Sequence, residues 1–107
     1  MIIVAPFIKY LKISGITLYP FILIRNSSLK HNQSLLNHER IHLKQQLELL
    51  ILPFYVIYLI EFAIRYIRLK DFKSAYLNIS FEQEAYENDQ NKDYLLSRKF
   101  YNWIIYL

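Results

Sequence analysis

The chain has 107 residues, enough for one domain with a modest core over residues 1–107 and too few for two substantial lobes. It is 54% hydrophobic and 17% aromatic, so we expect exposed apolar surface for a lipid interface, a partner chain or self-association. The absence of cysteine excludes disulfides. The net charge is +4, and because the lysines and arginines are spread along the chain, nucleic-acid binding is not implied, whereas attraction to anionic lipid headgroups is favoured.

The first 25 residues predict one short helix and one extended segment. Residues 1–8 are apolar, but no basic residues precede them and no small-residue cleavage site follows, so they do not resemble a signal peptide. We therefore expect a cytoplasmic protein that can lie against the inner face of the membrane. Pro6 suits the first turn of a helix that ends before Ser14-Gly15, and residues 16–25 read as strand. Pro20 marks this strand as an edge strand or a kinked pair.

An amphipathic helix is predicted over residues 34–52, after a polar loop that contains His31. Ser34 is the expected N-cap. The helix carries an H-E-x-x-H pattern at residues 38–42, which chance produces in about one shuffled sequence in 200 of this composition. The pattern is the strongest functional signal in the chain.

The spacing of this pattern predicts a zinc site. His38 and His42 lie one helical turn apart and can reach one metal ion, while Glu39 lies beside them, where a general base can reach a metal-bound water. Because neutral imidazoles must coordinate, zinc affinity should fall below about pH 6. The alternative is a solvated helix face that happens to carry two histidines.

A hydrolytic zinc site needs a third protein ligand. Gln45 and Glu48 occupy the positions where a metzincin would have its glycine and third histidine, so that pattern fails. The second candidate is F-E-x-E-A-Y at residues 81–86, in a helix whose start is predicted at Ser80 by a capping box with Gln83. Glu82 is the predicted ligand of this segment.

Helical phase selects Glu82 over the second glutamate of that segment. Glu82, Ala85, Tyr86 and Asp89 share one face, whereas Glu84 lies on the other face with neighbouring polar residues. The small Ala85 should let this helix pack close to the first. The alternative is a solvated acidic helix.

Two further helices are predicted. Residues 49–60 are uninterrupted apolar residues, but the charges that follow make a single membrane-spanning helix improbable, and Pro53 should start a new helix over residues 54–68. Its polar stripe of Glu61, Arg65 and Arg68 fits a core helix packed on several sides, which we favour, or a helix lying in a membrane surface. A last helix is predicted over residues 93–105.

The motifs together resemble the gluzincin branch of zinc metallopeptidases. The resemblance spans about residues 17–88 and implies zinc ligation by His38, His42 and Glu82, with Glu39 as the catalytic base. It also suggests that the edge strand pairs with an extended peptide substrate, the alternative being an ordinary edge strand without such a role. Many gluzincins have an aspartate where this chain has Tyr86.

Two roles differ from the usual gluzincin pattern. Asp89, one turn beyond Tyr86, can take over the orientation of a ligand histidine. Without a downstream histidine, a tyrosine would have to stabilise the oxyanion. Gln46, on the metal-facing side, either binds substrate backbone or solvates the cleft.

These patterns predict a mainly helical α+β fold. We expect a minimal zincin-like domain in which a short edge strand or hairpin packs on the active-site helix beside a second, ligand-bearing helix. The expected function is zinc-dependent hydrolysis of peptide or protein substrates. The alternative is a noncatalytic zinc-stabilised or membrane-surface binding module that retains the fold.

Overall fold

A computed structural model describes residues 1–11 and 13–107, and it shows a small sheet and five helices. The strands are β1 (Ile2–Val4), β2 (Gly15–Leu18) and β3 (Phe21–Ile24). The helices are α1 (Gln33–Glu48), α2 (Leu52–Leu69), α3 (Phe72–Leu77), α4 (Ser80–Asn88) and α5 (Tyr94–Ser97). Short 3₁₀ segments cover Pro6–Leu11, Ser27–His31 and Asn102–Tyr106. The predicted mainly helical α+β class is confirmed.

The sheet has the order β1-β3-β2, with β2 antiparallel and β1 parallel to β3. The kinked pair expected at Pro20 is a hairpin that turns at Tyr19-Pro20. The prediction missed β1, because three residues are too few to show a period. Ile22 and Ile24 of β3 are buried against Leu36 of α1, so the sheet supports the helix that carries the histidine pair.

Helix α1 is shifted from its predicted bounds. Its N-cap is Asn32, whose side chain accepts a hydrogen bond from the Leu35 backbone N–H at 3.0 Å, so the expected cap at Ser34 is wrong. The helix ends at Glu48, and positive φ angles at Leu50 and Ile51 turn the chain into α2. Proline is tolerated in the first turn of the second helix because that turn lacks intrahelical partners for its N–H groups.

Helix α2 packs on one side only. Phe54 joins Ile79, Phe81 and Trp103 in a hydrophobic core, and Glu61 is the other buried residue of this helix. The predicted core helix packed on several sides is therefore wrong. Among residues 1–11 and 13–107, none of the helices by itself combines the length and hydropathy of a membrane-spanning segment. Helices α1 and α2 reach that length and hydropathy only as a pair, and the pair is bent by 113°.

Three other predictions at element ends are corrected. The capping box at Ser80 is absent because Glu61 of α2 accepts both the Ser80 N–H at 2.9 Å and its hydroxyl at 2.6 Å. The predicted last helix is divided into α5 and a 3₁₀ segment, with a positive φ at Tyr101 between them. The predicted first helix is a 3₁₀ segment to Leu11, and Lys12 lies outside the described residues.

Candidate metal centre

Three buried side chains from α1 and α4 converge on one point. The Oε1 atom of Glu82 lies 3.2 Å from Nε2 of His38 and 3.0 Å from Nε2 of His42. Each residue offers one ligand atom, and these atoms all lie within 4.8 Å of one another. All three residues are at most 5% exposed. The structure therefore contains a buried His/His/Glu group that can hold a metal ion.

The spacing of the donors fits a small tetrahedral cation. Metal bonds of about 2.0–2.1 Å at tetrahedral angles place neighbouring donor atoms about 3.3 Å apart. The two histidine–glutamate distances, 3.2 and 3.0 Å, are close to this value. The two histidine donors lie within 4.8 Å of each other, so the group is compact enough for one ion to contact all three side chains.

Close packing of α1 on α4 brings the donors together. Ala85, one turn after Glu82, is fully buried, as expected of a small residue at a close helix contact. Phe81 of the same helix is fully buried in the hydrophobic core. Because Phe81 and Ala85 are both packed in the interior, α4 is held in an orientation that directs the Glu82 carboxylate towards the histidines of α1.

Each histidine is oriented by a partner on its other ring nitrogen. Nδ1 of His38 lies 3.1 Å from a carboxylate oxygen of Asp89, and Nδ1 of His42 lies 2.7 Å from the side-chain oxygen of Gln45. If each Nδ1 carries the proton, each Nε2 presents its lone pair to the metal position. Asp89 was expected in this role, whereas Gln45 was missed, although it follows His42 by three residues.

Charge interactions hold this group together in the metal-free protein. Burial by itself would lower the pKa of His42, but the charge and hydrogen bond of Glu82 raise it to about 9. Burial opposes ionisation of Glu82, yet the charge of His42 and hydrogen bonds from the histidines and Tyr58 bring its pKa well below the usual range. The two shifts describe one buried ion pair, which a metal cation would replace.

Glu39 lies beside the donors and is anchored to the hairpin. The Thr17 hydroxyl of β2 is 2.7 Å from Oε1 of Glu39 and 2.9 Å from its backbone oxygen. Gly15 of the same strand lies directly beside this carboxylate, since a Cβ there would be 3.4 Å from Oε2 of Glu39 and 3.3 Å from the Leu23 backbone oxygen. Glu39 is 5% exposed and lines both cavities at the site.

Two adjoining cavities flank the group. One, of about 840 Å³, is lined by His38, Glu39 and Asp89 and by the 3₁₀ and α3 segments. The other, of about 540 Å³, is lined by His42, Glu82 and mainly apolar or aromatic side chains of α2. Any small molecule bound in either cavity would lie beside Glu39.

Gln46 was expected to bind substrate backbone or to solvate the cleft. It is 1% exposed and bonds instead to the edge strand of the protein itself: its side-chain nitrogen donates to the Thr17 oxygen at 2.9 Å, and its oxygen accepts the Tyr19 N–H at 3.0 Å. Its role is thus to attach the hairpin to α1. A glutamine on a helix can pair with an edge strand in this way because its amide carries one donor and one acceptor, as a peptide does.

Three tyrosines border the donors. Tyr58 donates a 2.6 Å hydrogen bond to Oε2 of Glu82. The Tyr86 ring packs on His38 with centroids 4.2 Å apart, and its hydroxyl is 3.1 Å from that of Tyr76. Burial, followed by the charge of Glu82, raises the pKa of Tyr58 and Tyr76, so both remain neutral hydrogen-bond donors at pH 7. The sequence indicated a tyrosine but did not distinguish among the ten in the chain.

A second buried polar cluster lies at the other end of the same helix pair. Arg98 donates hydrogen bonds to Glu48 at 2.7 and 3.0 Å and also contacts both carboxylate oxygens of Glu84. Gln45 connects the two clusters, since its nitrogen donates to Oε1 of Glu84 at 2.8 Å while its oxygen faces His42. Glu84 was predicted on a face with neighbouring polar residues, but in the structure Glu84 and Glu48 are both buried.

Comparisons with known proteins give no relative for this chain: no family model, no curated protein and no solved structure matches it.

Proposed function

We propose that the protein is a zinc-dependent peptidase with a gluzincin-like site in a minimal zincin-like domain. The observation that carries this proposal is the convergence of His38, His42 and Glu82 beside the carboxylate of Glu39, at the meeting point of two cavities. Two imidazoles and one carboxylate form a ligand set typical of catalytic zinc, which keeps its fourth position for water or substrate.

Glu39 has the position of a general base. Bound zinc would supply a Lewis acid that lowers the pKa of a water molecule and polarises the substrate carbonyl. Glu39 accepts the proton of the attacking water and delivers it to the departing amine. Thr17 limits the rotation of this carboxylate, because the hydroxyl lies within hydrogen-bond distance of it.

The edge strand and the tyrosines supply the remaining contacts. In the β2–β3 ladder the backbone groups of Gly15, Thr17 and Tyr19 point away from β3. Gln46 already hydrogen-bonds the backbone oxygen of Thr17 and the backbone N–H of Tyr19. An extended peptide would therefore pair with the backbone at the Gly15 end of the strand, next to Glu39. The phenols of Tyr58, Tyr76 and Tyr86 are the candidate donors to the oxyanion.

Glu39→Gln tests the proposal, because it keeps the shape of the side chain and removes the base. We expect turnover of a quenched peptide library by the zinc-loaded protein to fall by about a hundredfold to ten-thousandfold, with zinc still bound. Glu87→Gln, the same change at an exposed position of α4, should leave turnover unchanged. Equal turnover by the wild type and Glu39→Gln would contradict the assignment.

A second candidate is a noncatalytic module stabilised by zinc. The observation in its favour is that the three donors are at most 5% exposed and join α1 to α4, as the ligands of a structural metal do. Under this reading zinc would raise the unfolding temperature, while no peptide in the library would be cleaved. The Glu39→Gln variant and the wild type would then be equally inactive in the peptide assay.

A further inference from the structure

The outward surface of α2 is almost entirely apolar. All residues of this helix are described, and Arg68 is the single charged residue among its exposed positions. At about 100° per residue the exposed apolar positions, apart from Leu69 at the end, cover an arc of about 160° along the helix, whose 18 residues extend about 27 Å. Leu52 at the start is 74% exposed and Ile67 near the end is 72% exposed. Such a surface is larger than the scattered apolar residues of an ordinary protein exterior.

A cluster of basic residues lies at the C-terminal end of this apolar face. Arg65 and Arg68 belong to the last turns of α2, and Lys70 and Lys73 follow directly. Asp71, between the lysines, accepts hydrogen bonds from the backbone and hydroxyl of Ser74 and caps α3. The carboxylate within α2 points inward, because Glu61 is buried and bound to Ser80. The outer face of α2 is therefore apolar with a cationic end.

The apolar surface continues to the entrance of the smaller cavity. Leu59 is 64% exposed on the outer side of α2 and also lines that cavity. Leu11 and Phe72, both largely exposed, line the same cavity from other elements. The entrance to the candidate site is thus bordered by apolar side chains that are continuous with the outer face of α2.

We propose that the outer face of α2 binds an anionic lipid surface, with the helix lying in the plane of the headgroups. The apolar arc would enter the boundary between headgroups and acyl chains, and the cations at the end of α2 would contact lipid phosphates. Leu59 places the entrance of the cavity at the same surface. This docking does not depend on the proposed catalytic activity.

Charge complementarity favours lipid over a second copy of this chain. Four cations and one capped aspartate mark the end of α2, so a partner surface must supply negative charge. The same face on a second copy offers the same cations and no exposed carboxylate within α2. An anionic bilayer supplies both the apolar and the negative component.

Vesicle sedimentation tests the proposal with the full chain. We expect binding to vesicles of phosphatidylglycerol and phosphatidylcholine to exceed binding to pure phosphatidylcholine. Raising the salt concentration from about 0.1 M to about 1 M, which shortens the Debye length from about 10 Å to about 3 Å, should weaken it. The double change Ile60→Gln, Ile67→Gln should lower partitioning about tenfold, because it removes apolar groups from the lipid boundary.

A matched double change on the C-terminal segment is the control. Leu96 and Ile105 are as exposed as the α2 residues, and Leu96→Gln with Ile105→Gln should leave vesicle binding unchanged. Circular dichroism and thermal unfolding verify that both double variants are folded. Sedimentation equilibrium without lipid completes the test: a dimer that the α2 variant abolishes, absence of binding to anionic vesicles, or equal binding by wild type and α2 variant would each overturn the proposal.

Discussion

Two buried polar clusters lie between α1 and α4, and they balance their charge in opposite ways. In one, Arg98 is a permanent cation between Glu48 and Glu84, and hydrogen bonds from neutral groups, such as the Tyr94 hydroxyl, complete the contacts of the two carboxylates. In the other, the Glu82 carboxylate faces His38 and His42, which are cationic only when protonated. The first cluster is complete within the chain, whereas the second can exchange protons for a metal cation.

This difference separates a structural group from a candidate functional one. A buried carboxylate requires compensating positive charge, which the arginine of the first cluster supplies at every accessible pH. In the second cluster three lone pairs converge, and the cavities beside them give access from outside. In this protein a buried carboxylate therefore indicates a metal site only where its neighbouring cation can lose a proton, as a histidine can and an arginine cannot.

The largest expected effect is on stability, from Arg98→Met. This change leaves Glu48 and Glu84 buried without their cation, and we expect the free energy of unfolding to fall by about 3–5 kcal/mol. Urea denaturation measures it, with the exposed Lys99→Met as the control. A loss similar to that of the control would show that the first cluster contributes little.

Removing a donor from the second cluster should mainly affect metal affinity. We expect His42→Ala to weaken zinc binding by more than a hundredfold, because it removes a ligand. Losing only a residue that orients a ligand typically weakens metal binding by about tenfold to a hundredfold. Competition with a chromophoric chelator measures it, and His31→Ala, at an exposed histidine, is the control. Unchanged affinity in His42→Ala would remove this residue from the ligand set.

The two clusters should respond to different pH ranges. The pKa of His42 is raised to about 9, above its unfolded value of about 6.5, so its stabilisation of the metal-free protein is complete below about pH 6.5 and is lost up to about pH 9. One released proton lowers the unfolding free energy by at most about 1.4 kcal/mol per pH unit.

Zinc affinity should rise about tenfold per pH unit between about pH 6.5 and 9, because His42 must lose its proton before it binds the metal. This range lies above about pH 6, the value below which the sequence predicted zinc affinity to fall.

The arginine cluster should respond only in acid. Burial opposes the charge of Glu84, but hydrogen bonds from Arg98 lower its pKa overall, so its contribution is present above about pH 4.5 and is lost as the pH falls below that value. Thermal unfolding of the metal-free protein from pH 3 to 9 measures both transitions. Stability that stays constant between pH 6.5 and 9 would contradict the ion pair of His42 and Glu82.

The smallest effect is expected from Asp89→Asn. The carboxylate accepts a hydrogen bond from Nδ1 of His38, and its loss should lower zinc affinity by about tenfold to a hundredfold. The same substitution at the exposed Asp93 should change nothing. Equal affinities in the two variants would mean that the orientation of His38 does not depend on Asp89.

Local periodicity predicted the part of the site that lies within single helices. His38 and His42 share a face because they are one turn apart, and Glu82 shares a face with Ala85 for the same reason. The structure places these faces together. The identity of the metal and the gluzincin-like activity stay predictions.

Contacts between distant segments could not be predicted in this way. The spacing of Glu48 and Glu84 along their helices is typical of polar surface positions. Both are buried because Arg98, which is 50 and 14 residues away in the sequence, packs against them and binds their carboxylates. Likewise the spacing of Glu61 predicts a charged stripe, but Glu61 is buried because it accepts hydrogen bonds from Ser80, 19 residues further along the chain. Periodicity shows which residues share a face, but not which element covers that face.

Anomalous diffraction at the zinc absorption edge, from crystals grown with one equivalent of zinc, tests the central claim most directly. We predict one strong peak about 2.0–2.2 Å from Nε2 of His38, Nε2 of His42 and a carboxylate oxygen of Glu82. A peak elsewhere on the protein, or none between these three side chains, would contradict it.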